Sequence, residues 1–265
     1  MEDPATASAR PRPHPFLDHP RPLAFAHRGG AHEAEENTME AFEHAVALGY
    51  SHVETDVQAT RDGVAVIFHD DDLERMTGRP GRVAELDWAE IAGLRTRGGA
   101  RIPRLDEALA AWPGLCLNLE AKSDAAVEPM AEAIRRADAL DRVCVGAFDG
   151  RRTARLRRLL GARLCWSPAH AGVARMWLAG WGLPVGRAGF QAVQVPTVFR
   201  GIPLVTRRFV AACHRRGVQV HVWTVDDPAE MAKLLDIGVD GLMSDRPALL
   251  RSLLQARRVW HGRAG

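Results

Sequence analysis

His52-Val53-Glu54-Thr55-Asp56-Val57 and Val64-Ala65-Val66-Ile67-Phe68-His69 are strand-like runs joined by six residues that include Asp62-Gly63. A parallel crossover takes about a dozen residues or more, whereas a short Asp-Gly connection suits a hairpin. The second run is therefore expected to return antiparallel to the first. With the turn centred near Asp62, His69 should land opposite Glu54 or Asp56. Side chains at i and i+2 share a face of a strand, so Glu54 and Asp56 project together. Two such carboxylates repel unless a cation lies between them. The run before them, Leu23–His27, continues into Arg28-Gly29, so His27, Arg28, Glu54, Asp56 and His69 gather between Leu23 and Asp72.

Outward from this stretch, short apolar runs alternate with amphipathic ones. The further strand-like runs are Leu115–Ala121, Val143–Ala147, Arg163–Trp166, Ala192–Val195, Val218–Thr224 and Val239–Met243. Helical periodicity covers Thr38–Leu48, Leu105–Trp112, Ala125–Ala139, Gly150–Leu160, Thr206–Arg216, Pro228–Ile237 and Pro247–Ala256. Strand-then-helix repetition reads as a parallel sheet with crossover helices. Setting the hairpin strand aside leaves eight runs, the number that closes a (β/α)8 TIM barrel. The 265 residues, 46% of them hydrophobic, suit one such domain. The expected layout is a poorly ordered arm over 1–22, a barrel over 23–256 with a short polar insertion at about 71–104, and a basic tail over 257–265.

A formal charge of +2 favours neither nucleic acid nor a strongly acidic partner. Cys116, Cys144, Cys165 and Cys213 lack CxxC spacing and read as small buried hydrophobes. The N-terminus has no apolar h-region, and no run reaches the roughly 18 apolar residues of a spanning helix, so a cytoplasmic protein is expected. In Leu117-Asn118-Leu119-Glu120-Ala121-Lys122, alternation puts Asn118, Glu120 and Lys122 on one face. Glu120 makes a third carboxylate. Three carboxylates suit one hard divalent cation, Mg²⁺ or Ca²⁺, better than zinc. Arg28 and Lys122 beside it point to an anionic substrate, most simply a phosphate.

These residues carry a family resemblance. Ala26-His27-Arg28-Gly29-Gly30, Glu36-Asn37-Thr38, Glu54-Thr55-Asp56-Val57, Thr60-Arg61-Asp62-Gly63, Phe68-His69-Asp70, Asn118-Leu119-Glu120-Ala121-Lys122, Trp223-Thr224-Val225 and Gly241 to Pro247 occur in that order. Together they resemble the glycerophosphodiester phosphodiesterase family, over nearly the whole chain. The resemblance implies a TIM barrel in which Glu54, Asp56 and Glu120 bind a divalent metal, His27 and His69 act as general acid and base, and Arg28 and Lys122 hold the phosphate. It implies hydrolysis of a glycerophosphodiester to glycerol 3-phosphate and an alcohol. The alternatives are a lysophospholipase D-type or sphingomyelinase D-like phospholipid hydrolase, and a non-catalytic barrel that binds phosphodiesters.

The family's usual Pro-Glu-Asn-Thr is Glu35-Glu36-Asn37-Thr38 here, and Asp226 stands where the family often has Asn. Asp226 reads as a helix N-cap near Pro228. Glu36 either supports the metal site or caps the helix after Thr38. His221 alternates with Trp223 toward the barrel interior, and Trp223 is read as a wall of the substrate pocket. The basic run Arg151–Arg158 fits a solvated outer helix. The segment 166–206, with Trp166, Trp177, Trp181, Phe190 and Phe199, is a long connection with a covering helix; its sharper reading is an apolar lip for an acyl chain or a peripheral membrane contact.

Overall fold

The computed structural model describes residues 13–262. In chain order, β1 (Leu23–His27) leads to α1 (Met39–Ala47), and β2 (His52–Ala59) to the hairpin strand β3 (Ala65–Ile67). Two short helices, α2 (Glu74–Thr77) and α3 (Trp88–Ile91), precede α4 (Leu105–Ala111), β4 (Cys116–Ala121), α5 (Val127–Arg136) and β5 (Val143–Gly146). Then come α6 (Gly150–Leu160), β6 (Cys165–Trp166), α7 (His170–Gly180), β7 (Ala192–Val195) and a small hairpin of β8 (Val198–Phe199) and β9 (Ile202–Pro203). The chain ends with α8 (Arg207–His214), β10 (Gln219–Val222), α9 (Pro228–Ile237), β11 (Gly241–Ser244) and α10 (Pro247–Ala256).

Eight of the strands are parallel neighbours in the order β6-β5-β4-β2-β1-β11-β10-β7, the nearly closed barrel expected from the alternation. Between β6 and β7 side chains take over from the ladder: Trp166 N donates to Gln191 Oε1 (3.2 Å) and Gln194 N to Ser167 Oγ (3.1 Å). The hairpin is also as expected. β3 pairs antiparallel with the last residues of β2, Val57 opposite Ile67 and Ala59 opposite Ala65, which centres the turn on Asp62. Thr60, Asp62 and Val64 lock it, Thr60 Oγ1 donating to Asp62 Oδ1 and accepting from Val64 N.

Alternation assigns the two faces of each strand. Val53, Val57, Leu117 and Leu119 point outward and pack under the helices with Phe42, Leu109 and Met130, while Glu54, Asp56, Asn118 and Glu120 line the interior. Helix starts follow their caps: Thr38 Oγ1 accepts from Ala41 N, Thr206 Oγ1 from Phe209 N and Asp227 from Glu230 N. α7 has no capping side chain and contains Gly172 and Gly180, so its sequence signal is weak. The basic run lies on α6, where Asp149, Asp124 and Glu128 pair with Arg151, Arg152 and Arg155.

The expectation of a poorly ordered arm fails for its second half. Phe16 and Leu17 are buried against Phe25 and the cysteines Cys116, Cys144 and Cys165, filling the barrel interior away from the carboxylates. His52 Nε2 donates to Phe16 O (2.9 Å), tying the arm to β2. A closed barrel leaves an apolar opening at the strand N-termini, and the arm covers it. Residues 1–12 and 263–265 lie outside the described part. The insertion is less polar inside than its sequence suggests, because Leu73, Val83, Ile91 and Ile102 pack with Val66 and Phe68 as a small core of their own. His221 is buried and neutral: burial pushes its imidazole down to about 4, and it packs on Phe25 and bonds Gln219. It is a core histidine rather than a site residue.

Phe16→Ala should lower the unfolding free energy by about 3–5 kcal/mol, the usual cost of emptying a fully buried phenylalanine site. A urea midpoint unchanged by the substitution would contradict the packing of the arm.

Candidate active site

Strand register alone assembles most of the cluster. His27 is the Cα partner of Glu54 across β1 and β2, and Glu54 and Asp56 are the partners of Asn118 and Glu120 across β2 and β4. His27 ends β1, and the register brings Glu54 and Asn118 to its level, with Asp56 and Glu120 two residues further along, on the side where βα loops build barrel sites. Glu54, Asp56 and Glu120 each offer an oxygen within 4.8 Å of the others. The chain folds tightly over them: Arg28, Gly29, Gly30 and Asn37 all have positive φ. Only glycine fits at position 29, since a Cβ there would stand 2.6 Å from that of Ala41. The turn brings Arg28 N to Glu54 Oε2 (3.2 Å) and Asn37 Nδ2 to Asp56 Oδ2 (3.0 Å).

The electrostatics follow from burying like charges. Burial lifts the Glu54 carboxyl to about 8, with repulsion from Asp56 added. Burial also raises the Glu120 carboxyl, against the pull of Lys122. Burial by itself would depress His27, but the nearby Glu54 and the hydrogen bond that His27 donates to Asp245 outweigh it and hold the imidazole at about 9. Glu54 and His27, 3.6 Å apart, titrate as a pair: an ionised Glu54 favours the His27 imidazolium, and that imidazolium in turn opposes protonation of Glu54. Lys122 Nζ stands 3.3 Å from Glu120 and 3.5 Å from Asp56, and Arg28 Nε 3.2 Å from Asp56. These cations leave Glu54 undercompensated, and an all-oxygen set of this kind fits a hard divalent cation.

His69 reaches the same cavity by a path that differs from the hairpin expectation. Extending the ladder would place Thr55, not Glu54 or Asp56, opposite His69, and Thr55 bonds Asn37. The strand ends instead at Ile67, Phe68 N makes a last bond to Asp56 O, and His69 turns into the cavity beyond it. His69 Nδ1 is held by Asp70 Oδ1 (2.7 Å), and Arg75 from the insertion bonds Asp70. The same Arg75 pairs with Glu36, which also accepts from Arg28. Glu36 therefore orients the arginines and neither touches the carboxylate cluster nor caps α1.

Asp245 carried no signal of its own in the sequence. Its Oδ1 lies 2.7 Å from His27 Nδ1, although 218 residues separate the two. Asp226 is not the N-cap of α9, a role that Asp227 fills; its carboxylate accepts from Ser244 Oγ and Asp245 N, both at 2.8 Å, and so fixes the loop that carries Asp245. Gln194 Nε2 donates to Asn118 Oδ1 (2.6 Å) across the barrel. Both histidines thus have Nδ1 anchored by a carboxylate, leaving Nε2 as the atom available to a ligand.

The cavity above these groups measures about 520 Å³. One wall is polar, made by His27, Arg28, His69 and the carboxylates. The other is apolar: Phe148, Val173, Trp177, Phe199, Ile202 and Trp223. Trp223 lies edge-on to Phe148 at 5.8 Å on this side.

Comparison with known proteins bears on this arrangement. A family model described as the glycerophosphoryl diester phosphodiesterase family matches residues 27–249. The Mycobacterium tuberculosis protein named "Probable glycerophosphodiester phosphodiesterase 2" is 41% identical over 93% of this chain and 96% of its own length. A mouse lysophospholipase D is 27% identical over 92% of this chain and 86% of its own. In fold, a crystal structure from Silicibacter pomeroyi superposes with a TM-score of 0.78 at 24% identity, covering 94% of this chain and 98% of that one.

Asp245→Asn should lower the His27 titration midpoint by roughly one unit or more, because it removes an anionic hydrogen-bond partner. Imidazole NMR titration follows it directly; an unshifted midpoint would mean that Asp245 does not hold the proton.

Proposed function

The chain belongs to the glycerophosphoryl diester phosphodiesterase family, and from that premise we propose that it hydrolyses glycerophosphodiesters to glycerol 3-phosphate and an alcohol, with His27 and His69 moving the protons. The observation that carries this reading is the pair of carboxylate-anchored imidazoles, His27–Asp245 and His69–Asp70, on one cavity with Arg28 and the three carboxylates.

Glu54, Asp56 and Glu120 would hold one divalent cation, Mg²⁺ or Ca²⁺, whose chemistry is neutralisation of phosphate charge. Arg28 and Lys122 supply fixed positive charge on either side of Asp56 and orient the phosphate's non-bridging oxygens. His69 Nε2 takes the proton of the attacking oxygen, which is either a water, giving glycerol 3-phosphate directly, or the glycerol's neighbouring hydroxyl, giving a cyclic phosphate that a water then opens to glycerol 3-phosphate with the two histidines exchanging roles. The P–O bond to the alcohol breaks as the new one forms, and His27 Nε2 protonates the departing alkoxide. The donor part suits His27 because its surroundings favour the imidazolium.

The apolar wall favours a second substrate class for the same chemistry. Val173, Trp177, Phe199 and Leu204 give an acyl chain a surface that a water-soluble diester would leave wet. A lysophospholipid, cleaved at the headgroup side of its phosphate, places its chain there.

His27→Ala and His69→Ala should each lower turnover of glycerophosphocholine by about 10²–10⁴-fold. A diester with a nitrophenol leaving group, which departs without protonation, should rescue only His27→Ala; equal rescue of both would undo the division of roles, and a chelator without effect would remove the cation. Trp177→Ala should reduce kcat/KM for lysophosphatidylcholine by roughly tenfold and leave glycerophosphocholine nearly unaffected. Equal loss on both substrates would count against the acyl subsite.

A further inference from the structure

Charge along this chain is segregated in a way that its net value conceals. Positions 150–225 hold thirteen arginines, no lysine, and no aspartate or glutamate. Since the whole chain is at +2, the remainder stands at −11. On α6, Arg151, Arg152 and Arg155 pair with Asp149, Asp124 and Glu128. From Arg175 to Arg216 none has a carboxylate within salt-bridge distance among the described residues, and Arg187, Arg200, Arg207 and Arg208 are exposed.

The same segment carries the exposed large hydrophobic side chains. Leu178, Trp181, Leu183, Val198, Phe199 and Ile202 are solvent-facing, and Phe148 adjoins them through His170. Trp181 is 60% exposed and Val198 51%, values at which each forfeits most of its burial energy. The strip is continuous with the cavity. Trp177, which lines it, packs 5.6 Å from Trp181, and Phe199 and Ile202 belong to both. Arg208 lies over Trp181 and Arg200 over Phe199, so cation and apolar surface alternate on one face. The β8–β9 hairpin is preshaped: Arg200 (φ 50°) and Gly201 (φ 80°) form its two-residue turn and hold Val198 and Ile202 outward without further ordering.

We propose that this face, from Leu178 to Arg208 and including the β8–β9 hairpin, docks on the surface of an anionic phospholipid bilayer, with the active-site cavity opening toward the lipid. Aromatic and aliphatic tips rimmed by arginine match an acyl–headgroup boundary that is negatively charged. A soluble polyanion would answer the arginines but leave Val198, Leu183 and Ile202 without a purpose. A two-fold dimer through the patch would set arginines against arginines, since each copy presents the same surface. No helix among the described residues is long and apolar enough to cross a membrane, so the contact is peripheral. The proposal deepens the lysophospholipid reading, because a substrate leaving the bilayer would meet the apolar wall first. It is nonetheless measured by binding rather than turnover.

Co-sedimentation of the full chain with phosphatidylcholine vesicles, with and without phosphatidylglycerol, tests it. Partition onto the anionic vesicles should fall steeply with added salt and be at least tenfold stronger than onto neutral ones. The double variants Trp181→Ser/Val198→Ser and Arg187→Glu/Arg208→Glu should each weaken it about tenfold or more while keeping glycerophosphocholine hydrolysis, which also certifies their fold. Absence of binding at low salt, or binding untouched by either variant, would overturn the proposal. So would heparin binding lost in the charge variant while the apolar variant keeps full vesicle affinity, which would reassign the face to a soluble polyanion. An active chain that ignores vesicles refutes the docking face alone; a chain that binds vesicles and cleaves neither substrate refutes the hydrolytic reading alone.

Discussion

Three carboxylates on adjacent strands of one barrel, with oxygens within 4.8 Å of each other, are the constraint to which the rest of the structure answers. At such spacing and an effective dielectric near 20, each pair of full charges repels by about 4 kcal/mol. β2 cannot relieve this by itself, because the alternation that buries Val53 and Val57 commits Glu54 and Asp56 to the interior. Relief comes from elsewhere in the chain. Arg28 and its backbone amide arrive from β1, Asn37 from the loop before α1 and Lys122 from the end of β4. Burial, with repulsion from Asp56 added, still holds Glu54 well above the ordinary carboxylate range, so part of the cost of gathering these carboxylates is left standing. That remainder is what a divalent ion would offset.

Meeting this demand strains the local backbone. Arg28 and Asn37 occupy the left-handed region, a conformation that costs side-chain-bearing residues roughly 1–2 kcal/mol each. Both are held there by the carboxylates they serve. The opposite side of the barrel is built differently: β6 has two residues, its junction with β7 is closed by Ser167, Gln191 and Gln194, and α7 with the β8–β9 hairpin surrounds an apolar wall. The cavity therefore joins a tightly bonded ionic half to a hydrophobic half, and a ligand that is both anionic and apolar matches it better than one that is only charged.

The barrel was legible in the sequence because each of its strands announces itself locally, and the hairpin because Asp62-Gly63 fixes a turn within six residues. The pairing of His69 was missed by one position. Centring the turn on Asp62 puts Thr55 opposite His69, and only departure from the ladder after Phe68 returns the histidine to the carboxylates. A period of two makes such a slip consequential, since it exchanges the two faces of the strand. Asp245 could not be read at all. It belongs to the last βα loop, and its partner His27 ends the first strand; β1 and β11 become neighbours only when the barrel closes. The packed arm escaped notice for a related reason: Phe16 and Leu17 sit in a proline-rich stretch, and the opening they fill does not exist until eight strands surround it.

His27 and His221 make the same point about chemistry. Each lies on a barrel strand, and each starts from the same intrinsic affinity for a proton. His221 is sealed at the level of Phe25, where burial dominates and the imidazole is driven to about 4. His27 is also largely enclosed, but at the strand end where Glu54 and Asp245 converge, and it is held at about 9. Depth along the barrel axis, rather than residue type or burial, separates a histidine that stays neutral in the core from one whose surroundings favour the imidazolium. The sequence supplies that depth only through register, so the carboxylate partners of a histidine, once the strands are paired, are the better guide to whether it does chemistry.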